Sequence, residues 1–238
     1  MSDIEIVYYS CNHLDKVNPS FVAKTREALV QAAGDIPIVC VSHEPLSFGS
    51  RNIVVGPVPR GHLQIYKNIL VGAKHATAPF VALAEDDIFY PASHFRTYRP
   101  PAHKFAYDLN RWGINTWVEP PMYGYRNRPV VNQLLAPRLL LIEALEERFA
   151  AYPDESKVPL KFWGDLGRYE GNLGVTIREF ECYAAPDCSV VFSHEEAFGY
   201  LNHGKRKSIG HGARTWLPKW GFAKDMLALY KQPELQIA

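Results

Sequence analysis

Short apolar segments alternate with segments of helical periodicity over the first 84 residues, and this order restricts the possible folds more than any other feature. The segments that predict buried strands lie at 4–9, 37–42, 52–55 and 80–84. One helix is predicted to begin at Asn18-Pro19, a capping residue followed by proline, and to end at Gly34; another spans 63–73. This alternation predicts an α/β fold with a mainly parallel central sheet flanked by helices.

The rest of the chain fits into the same domain. A length of 238 residues can bury one substantial core, and 47% hydrophobic with 21% charged residues is an ordinary globular composition. A loop is expected at 91–101 and a surface loop or a short helix start at 164–174. Further strands and helices are predicted at 104–117, 130–136, 137–149, 175–182, 190–194 and 220–230. We therefore expect a single domain over residues 1–238.

Charge and cysteine content exclude several classes of protein. A net charge of +1 gives no overall attraction to nucleic acid, and no apolar run approaches the roughly 20 residues of a membrane span. The N-terminus is acidic where a signal peptide would be basic, so we expect a cytoplasmic protein. Four scattered cysteines predict reduced thiols, with Cys182 and Cys188 as an alternative zinc half-site.

Three consecutive carboxylates, Glu85-Asp86-Asp87, follow the last of the four predicted strands directly. Burial and mutual repulsion should raise their pKa values unless a positive charge neutralises them. Ligands bind at the carboxyl edge of a parallel sheet, where a divalent cation is the natural partner of such a cluster. A solvated turn with its charges facing water is the alternative interpretation.

The segment from Phe80 to Pro91, with the acidic triplet at its centre, resembles the strand and Asp-x-Asp-type motif of GT-A-fold glycosyltransferases, especially family 2-like members. The resemblance implies that Asp87 binds Mn²⁺ or Mg²⁺. It also implies that Glu85 and Asp86 contact metal-bound water, ribose or the donor sugar. Glu85 stands where the family often has aspartate.

The resemblance extends upstream of the acidic triplet. It implies that the loops after the first and second strands hold the nucleotide base, through Tyr9, Ser10, Asn12 and His43. The segment 60–68 matches the helix that precedes the motif in the family, and its candidate donor-binding residues are Arg60, Gly61, Lys67 and Asn68. Lys67 and Asn68 could equally face solvent. By this resemblance, residues 1–91 form the nucleotide-binding half and 92–238 the acceptor half.

An inverting transferase requires a carboxylate that deprotonates the attacking hydroxyl of the acceptor. The family places this base in a segment that corresponds to 162–171. Asp165 is the first candidate and Glu170 the second. The alternative is that Arg168 and these acids form a surface ion-pair cluster of little energetic value.

The C-terminal region carries a candidate metal ligand and a basic run. The family commonly completes its metal shell with a late histidine, which implies His203, with His194 as second choice. Lys205, Arg206 and further cations up to Lys224 form a run without an acid between them. This run could cover the diphosphate, contact a polyanionic acceptor such as DNA, or remain a solvated loop.

Together, these features predict a metal-dependent glycosyltransferase that uses a nucleotide-sugar donor, UDP by resemblance. The acceptor is expected to be a hydroxyl of a glycan or of a modified DNA base, and the stereochemistry is expected to be inverting. One alternative is a nucleotidyltransferase or nucleotide-sugar pyrophosphorylase, although the loop after the first strand lacks the glycine-rich sequence of those enzymes. The other is a non-catalytic carbohydrate- or DNA-binding module.

Overall fold

Strands and helices alternate along the first half of the chain, as the apolar periodicity predicts. The computed structural model describes residues 2–197, 201–202, 205–206 and 210–231, without the side chains of 201–202 and 205–206. Its strands are β1 (Ile4–Ser10), β2 (Ile38–Ser42), β3 (Arg51–Val54), β4 (Phe80–Ala84), β5 (Ile88–Phe89), β6 (Lys104–Asp108), β7 (Arg111–Asn115), β8 (Tyr123–Tyr125), β9 (Leu134–Pro137), β10 (Glu179–Tyr183), β11 (Ser189–Ser193), β12 (Leu201–Asn202), β13 (Lys205–Arg206), β14 (His211–Arg214), β15 (Trp216–Leu217) and β16 (Gly221–Phe222). Its helices are α1 (His13–Val17), α2 (Pro19–Ala33), α3 (His62–His75), α4 (Ala92–Arg96), α5 (Arg138–Ala151), α6 (Glu170–Leu173) and α7 (Ala223–Lys231), with 3₁₀ turns at Val131–Gln133 and Glu155–Lys157.

Seven strands form the central sheet, in the order β10-β6-β9-β4-β1-β2-β3. Strand β1 is buried along its whole length and pairs in parallel with β2 and β4. Strands β3 and β10 extend the sheet in parallel at its two edges. The predicted α/β class, with a mainly parallel sheet in a single domain, is confirmed.

One strand of the central sheet runs against the others. Strand β9 pairs antiparallel with β4, where Val81 lies opposite Ala136, and antiparallel with β6, where Ala106 lies opposite Leu135. The apolar segment at 130–136 predicts a strand here, but a periodicity of two carries no information about strand direction. The first residues of that segment form a 3₁₀ turn instead, and the strand begins at Leu134.

Helices cover both faces of the central sheet. On one face, α3 and α5 pack over a core that includes Val7, Val41 and Leu141. On the other face, α2 and α4 cover a second core. A Cβ at Gly72 in α3 would lie 2.3 Å from Val7 Cγ1, so glycine permits the close approach of α3 to β1. This contact holds the second half of α3 against the middle of β1.

A second sheet of five strands, in the order β14-β8-β7-β11-β5, follows the acidic triplet. Its inner face packs against α2 and α7 through aromatic contacts, among them Phe21 with Phe192 at 4.8 Å between ring centroids. Strand β5 pairs antiparallel with β11 immediately after Asp87. The end of β11 is therefore held beside the acidic triplet.

The sequence-based assignment of elements needs three corrections. Helix α4 lies in the segment expected to be a loop, where His94 Nδ1 is 2.9 Å from Asp108 Oδ2 in a fully buried pair. The strand expected at 175–182 is β10, which begins only at Glu179. The last helix begins at Ala223, after a small hairpin.

Two further expectations concern membranes and thiols. In the described part of the chain, helices are too short or too polar to span a bilayer. All four cysteines are free thiols, as the sequence predicts.

Candidate functional site

The acidic triplet lies at the carboxyl end of β4, beside the carboxyl end of β1. Because β1 and β4 are parallel, with Tyr8 opposite Ala84, the residues that follow each strand meet at one edge of the sheet. The Tyr9 hydroxyl donates a hydrogen bond to Glu85 Oε1 at 2.7 Å, and the Ser10 hydroxyl donates to Asp86 Oδ2 at 2.7 Å. The sequence predicts all four of these residues in the site, and the structure brings them together.

Asn132 is a site residue that sequence reasoning did not find. Its Nδ2 donates to Glu85 Oε2 at 2.7 Å from the 3₁₀ turn before β9. The turn reaches the triplet because β9 runs antiparallel to β4, so the residues before β9 lie next to those after β4. No local sequence signal marks this asparagine.

Burial makes the triplet electrostatically unfavourable in the absence of a ligand. Desolvation, and then the charge of Asp87, raise the pKa of Glu85 to about 7, although hydrogen bonds from Asn132 and Tyr9 oppose the shift. The same two causes raise the pKa of Asp86 to about 6. The direction agrees with the sequence-based expectation, and a bound cation would stabilise the ionised forms.

This pKa shift predicts a pH-dependent effect of Glu85→Gln on stability. A carboxyl group whose pKa is raised in the folded state destabilises the fold progressively between its unfolded value near 4.5 and its folded value of about 7. We expect Glu85→Gln to be more stable than the parent at pH 8, because the neutral amide avoids the cost of a buried negative charge. The gain should be limited to about 1–2 kcal/mol, because glutamine retains only one of the two acceptor oxygens. Thermal unfolding with a chelator present, at pH 5 and pH 8, measures this difference.

The matched control is Glu143→Gln, which removes an exposed glutamate on α5. Its melting temperature relative to the parent should not change between the two pH values. A Glu85→Gln variant whose relative melting temperature is likewise unchanged from pH 5 to pH 8 would contradict the raised pKa.

Asp87, the last carboxylate of the triplet, forms a pair with buried His194, and the Asp87 side chain is 16% exposed. His194 Nε2 lies 3.6 Å from Asp87 Oδ2, and His194 is 2% exposed. Among the described residues, Asp87 Oδ1 and both ring nitrogens of His194 lack a hydrogen-bond partner. Phe192 N donates to the Asp87 carbonyl at 2.9 Å, which fixes the end of β11 against the triplet. Buried polar atoms without partners are costly, so the pair is suited to a ligand.

Of the two histidines proposed as metal ligands, only His194 lies among the described residues. His194, the second choice from the sequence, is adjacent to Asp87, whereas His203 lies outside the described residues. Within the described ranges, no three His, Cys, Asp or Glu side chains are grouped as a metal site. Protein side chains there offer a cation two donors, from Asp87 and His194.

A cavity opens between this pair and the loops that follow β1 and β2. Besides the triplet and His194, it is lined by Tyr9, Ser10, Cys11, His13, Leu14, His43, Arg60, Gly61, Gln64, Ile65, Asn68, Glu196 and Ala197. Eight residues predicted to bind the donor thus line one cavity together with Asp87 and His194. They are Tyr9, Ser10, His43, Arg60, Gly61, Asn68, Glu85 and Asp86.

Asn12 shapes the cavity rather than lining it. Its backbone is left-handed, with φ of 57°, and its Oδ1 accepts hydrogen bonds from His43 N and Glu44 N, both at 2.9 Å. This one side chain therefore joins the loop after β1 to the loop after β2. Asparagine tolerates left-handed backbone better than most residues, which explains its presence at this turn.

The start of α3 closes the cavity from above. Gly61 is the capping residue, without a side-chain cap, so the first N–H groups of the helix face outward at this end. Arg60 Nη2 donates to the Glu196 carbonyl at 2.8 Å, and His13 Nε2 lies 2.6 Å from Glu196 Oε2. The segment after His194 is thereby attached to the other wall of the cavity.

Besides Asn12, three predicted residues with described side chains do not line the cavity: Lys67, Asp165 and Glu170. Lys67 pairs with Glu155 on the surface. Glu170 is 2% exposed, and its carboxylate accepts from Arg148 Nη2 and from Gly167 N, both at 2.7 Å. These contacts hold Glu170 as a structural anchor of its loop instead of presenting it to an acceptor.

Asp165, the first candidate for the base, lies in the same loop as Glu170 and outside the cavity lining. Its Oδ2 is 3.0 Å from Arg168 Nη1. Burial raises the pKa of Asp165, while Arg168 lowers it. The pKa of buried Tyr66 is raised by burial first and then by the charges of Asp165 and, more weakly, Glu85, so both carboxylates act on one region.

The basic run is described only in part. Lys205 and Arg206 form β13, which pairs with β12 in a short hairpin, but their side chains lie outside the description. Their predicted contact with the donor remains a prediction.

No protein-family model matches the chain, and no similar sequence was found among curated proteins. Solved structures similar to it include the galactosyltransferase LgtC in complex with donor and acceptor sugar analogues, with 10% identity, a TM-score of 0.46, and coverage of 97% of this chain and 98% of that one. A glycosyltransferase involved in glycosylation of the major capsid of PBCV-1 gives 9% identity, a TM-score of 0.45, and coverage of 79% and 91%. A nucleotidyl transferase from Methanothermobacter thermautotroptrophicus gives 16% identity, a TM-score of 0.43, and coverage of 77% and 87%.

Structural similarities with such low identities and TM-scores do not distinguish a sugar transferase from a nucleotidyl transferase. The architecture itself is clear from the strand order of the central sheet and from the acidic triplet at the end of β4. It is the α/β arrangement with a mainly parallel central sheet that the sequence predicts.

Proposed function

We propose that this protein is a metal-dependent glycosyltransferase that moves a sugar from a nucleoside diphosphate, UDP in the first instance, to an acceptor hydroxyl. The observation that carries the proposal is the pair of Asp87 and buried His194. Their partnerless polar atoms lie at the edge of a cavity that also contains Glu85 and Asp86. A cation with a diphosphate would satisfy these atoms, and it would stabilise the ionised forms of Glu85 and Asp86, whose pKa values burial raises.

The donor set fits Mn²⁺ or Mg²⁺. Asp87 offers a hard carboxylate oxygen and His194 a borderline imidazole nitrogen, a combination that favours Mn²⁺ over Mg²⁺. Two protein ligands leave the remaining coordination positions to water and phosphate oxygens. When bound, the cation would offset the charge that develops on the leaving nucleoside diphosphate.

The cavity has polar groups suited to each part of a nucleotide. Tyr9 and His43 flank the space proposed for the base and ribose, and Asn68 Nδ2 lies 3.4 Å from His43 Nε2. Burial lowers the pKa of His43, which keeps its imidazole neutral and able to accept a hydrogen bond near pH 7. The open start of α3 at Gly61 presents backbone N–H groups and a positive dipole end toward the diphosphate.

Asp165 is the proposed base that accepts the proton of the attacking hydroxyl. Burial makes its carboxylate more basic, which favours proton transfer, and Arg168 holds it in place at 3.0 Å. An in-line attack from this side, opposite the leaving diphosphate, would invert the anomeric centre. Glycans and modified DNA bases are both acceptors with such hydroxyls.

Donor hydrolysis tests the proposal. We expect the protein to hydrolyse UDP-sugars slowly with Mn²⁺ and to lose at least 90% of this activity, an order-of-magnitude effect, when EDTA is added. A panel of UDP-, GDP- and TDP-sugars identifies the base. Calorimetric binding of UDP with and without Mn²⁺ provides a readout that is independent of turnover.

Three results would contradict the proposal in different ways. Turnover that is equal with and without the chelator would exclude the metal mechanism. Release of pyrophosphate from a nucleoside triphosphate and a sugar phosphate, without donor hydrolysis, would make the protein a nucleotidyltransferase. Nucleotide or duplex DNA binding without any turnover would assign it to the non-catalytic class.

A further inference from the structure

Two arginines face each other across β7 and β8. The register pairs Trp112 with Tyr125, so the preceding Arg111 lies opposite Arg126, and Arg126 N donates to the Arg111 carbonyl at 2.9 Å. Side chains directly opposite in an antiparallel pair project from the same face. Like charges at such positions are destabilising, so the arrangement calls for an explanation.

The neighbouring residues accommodate this pair. A Cβ at Gly113 would lie 2.4 Å from Arg126 Nε, so only glycine leaves space for the guanidinium to cross β7. On the far side of Gly113, Arg126 Nη2 donates a hydrogen bond to Asn115 Oδ1 at 2.6 Å. Trp112 and Ile114, which alternate with these residues, pack into the core on the opposite face. The face of β7 that carries Arg111, Gly113 and Asn115 therefore accommodates the guanidinium of Arg126.

Arg111 is the buried centre of this cluster. It is 5% exposed, and its Nε has no hydrogen-bond partner in the described part of the chain. Burial first, and then the charges of Arg128 and Arg126, lower the pKa of Arg111 to about 10, while Glu85 and Asp165 act in the opposite direction. Arg111 therefore remains charged at neutral pH, beside two further cations and near the proposed base.

We propose that Arg111, Arg126 and Arg128 bind a phosphate or carboxylate group of the acceptor. The inference rests on the proposed function, and it specifies the substrate class as an anionic acceptor. These arginines do not line the cavity assigned to the nucleotide, and the proposed base Asp165 is close enough to interact electrostatically with Arg111 and Arg128. Arginine forms paired hydrogen bonds with both kinds of anion.

The burial of Arg111 favours a single anionic group over a polyanion. A side chain that is 5% exposed can be reached by one group that enters the site, whereas an extended phosphate backbone is bound by exposed cations. We accordingly assign the site to a small acceptor, such as a sugar phosphate or a sugar acid, and treat DNA as an outcome of the test.

Inorganic phosphate is the first probe, titrated in EDTA without nucleotide and followed by ³¹P NMR and thermal unfolding. We expect Arg128→Gln, which changes an exposed residue, to weaken phosphate binding about tenfold. Arg111→Gln should weaken it at least as much. Lys74→Gln removes one surface charge that is paired with Glu146 and should bind phosphate as the parent does. Equal phosphate affinity in Arg128→Gln and Lys74→Gln would overturn the inference.

Acceptor competition identifies the source of the anion. We expect a sugar phosphate or a sugar acid to displace phosphate from the parent about tenfold more readily than the neutral sugar does. Duplex DNA that displaces phosphate where monomeric anions fail would overturn the assignment to a small acceptor. UDP binding with Mn²⁺ is measured in parallel on the parent, so that failure of the nucleotide site and failure of the anion site give separate results.

Discussion

Asp87→Asn should abolish Mn²⁺-dependent UDP binding and reduce donor hydrolysis by about a thousandfold. The substitution removes the negative charge that faces His194 at 3.6 Å while leaving the shape of the side chain unchanged. Loss of a direct metal ligand exceeds the 10–100-fold effect typical of residues that only support ligands. Calorimetry with Mn²⁺ and UDP, and single-turnover hydrolysis, measure the two losses.

Stability distinguishes this loss of function from misfolding. The charge of Asp87 contributes to the raised pKa values of Glu85 and Asp86, so its removal relieves repulsion within the triplet. Asp87→Asn should therefore melt no lower than the parent above pH 7 in the presence of a chelator. Asp35→Asn, an exposed control in the turn that follows α2, should leave nucleotide binding intact. Undiminished UDP and Mn²⁺ affinity in Asp87→Asn would remove the basis of the proposed function.

Arg148→Met should destabilise the protein by about 3–5 kcal/mol, because it leaves the Glu170 carboxylate buried without its counter-charge. Arg148 and Glu170 are 0% and 2% exposed, and their side chains meet at 2.7 Å. Arg148 Nη1 also donates to the Gly164 carbonyl at 2.8 Å. For a chain of this size, the expected fall in melting temperature is about 6–20 °C.

A double substitution tests whether the loss of stability in Arg148→Met comes from the unpaired charge of Glu170. Arg148→Met with Glu170→Gln removes both charges, and we expect it to recover about half of the lost stability, or about 2 kcal/mol. The loop from Trp163 to Glu170 carries Asp165, so Arg148→Met should also lower kcat more than it affects UDP affinity. A loss below about 1 kcal/mol in Arg148→Met would contradict the structural role assigned to Glu170.

The site could be predicted from sequence only where its residues follow strands of the parallel series. Tyr9 lies at the end of such a strand, and His43 and Glu85 each come directly after one. Parallel strands bring those positions to one edge. Asn132 reaches the same edge from before an antiparallel strand, and local periodicity does not specify direction. The choice of His203 over His194 relied on a short motif, whereas the pairing of β11 with β5 brings His194 to Asp87.

The different surroundings of the two acidic candidates show the same limit. Asp165 and Glu170 are similar in sequence context, but the buried Arg148 on α5, 22 residues from Glu170, determines which of them is held inside the protein. Arg111 and Arg126 likewise lie opposite each other only because of the register between β7 and β8.

The amino-acid sequence alone determined the α/β class, the order of the first four strands and the acidic triplet, since these depend on local periodicity and on a contiguous motif. Tertiary structure alone decided the direction of β9, the histidine beside Asp87, the role of Glu170 and the arginine face of β7. Each of these is a contact between residues far apart in the chain, and its existence depends on strand register and burial, which no local pattern encodes.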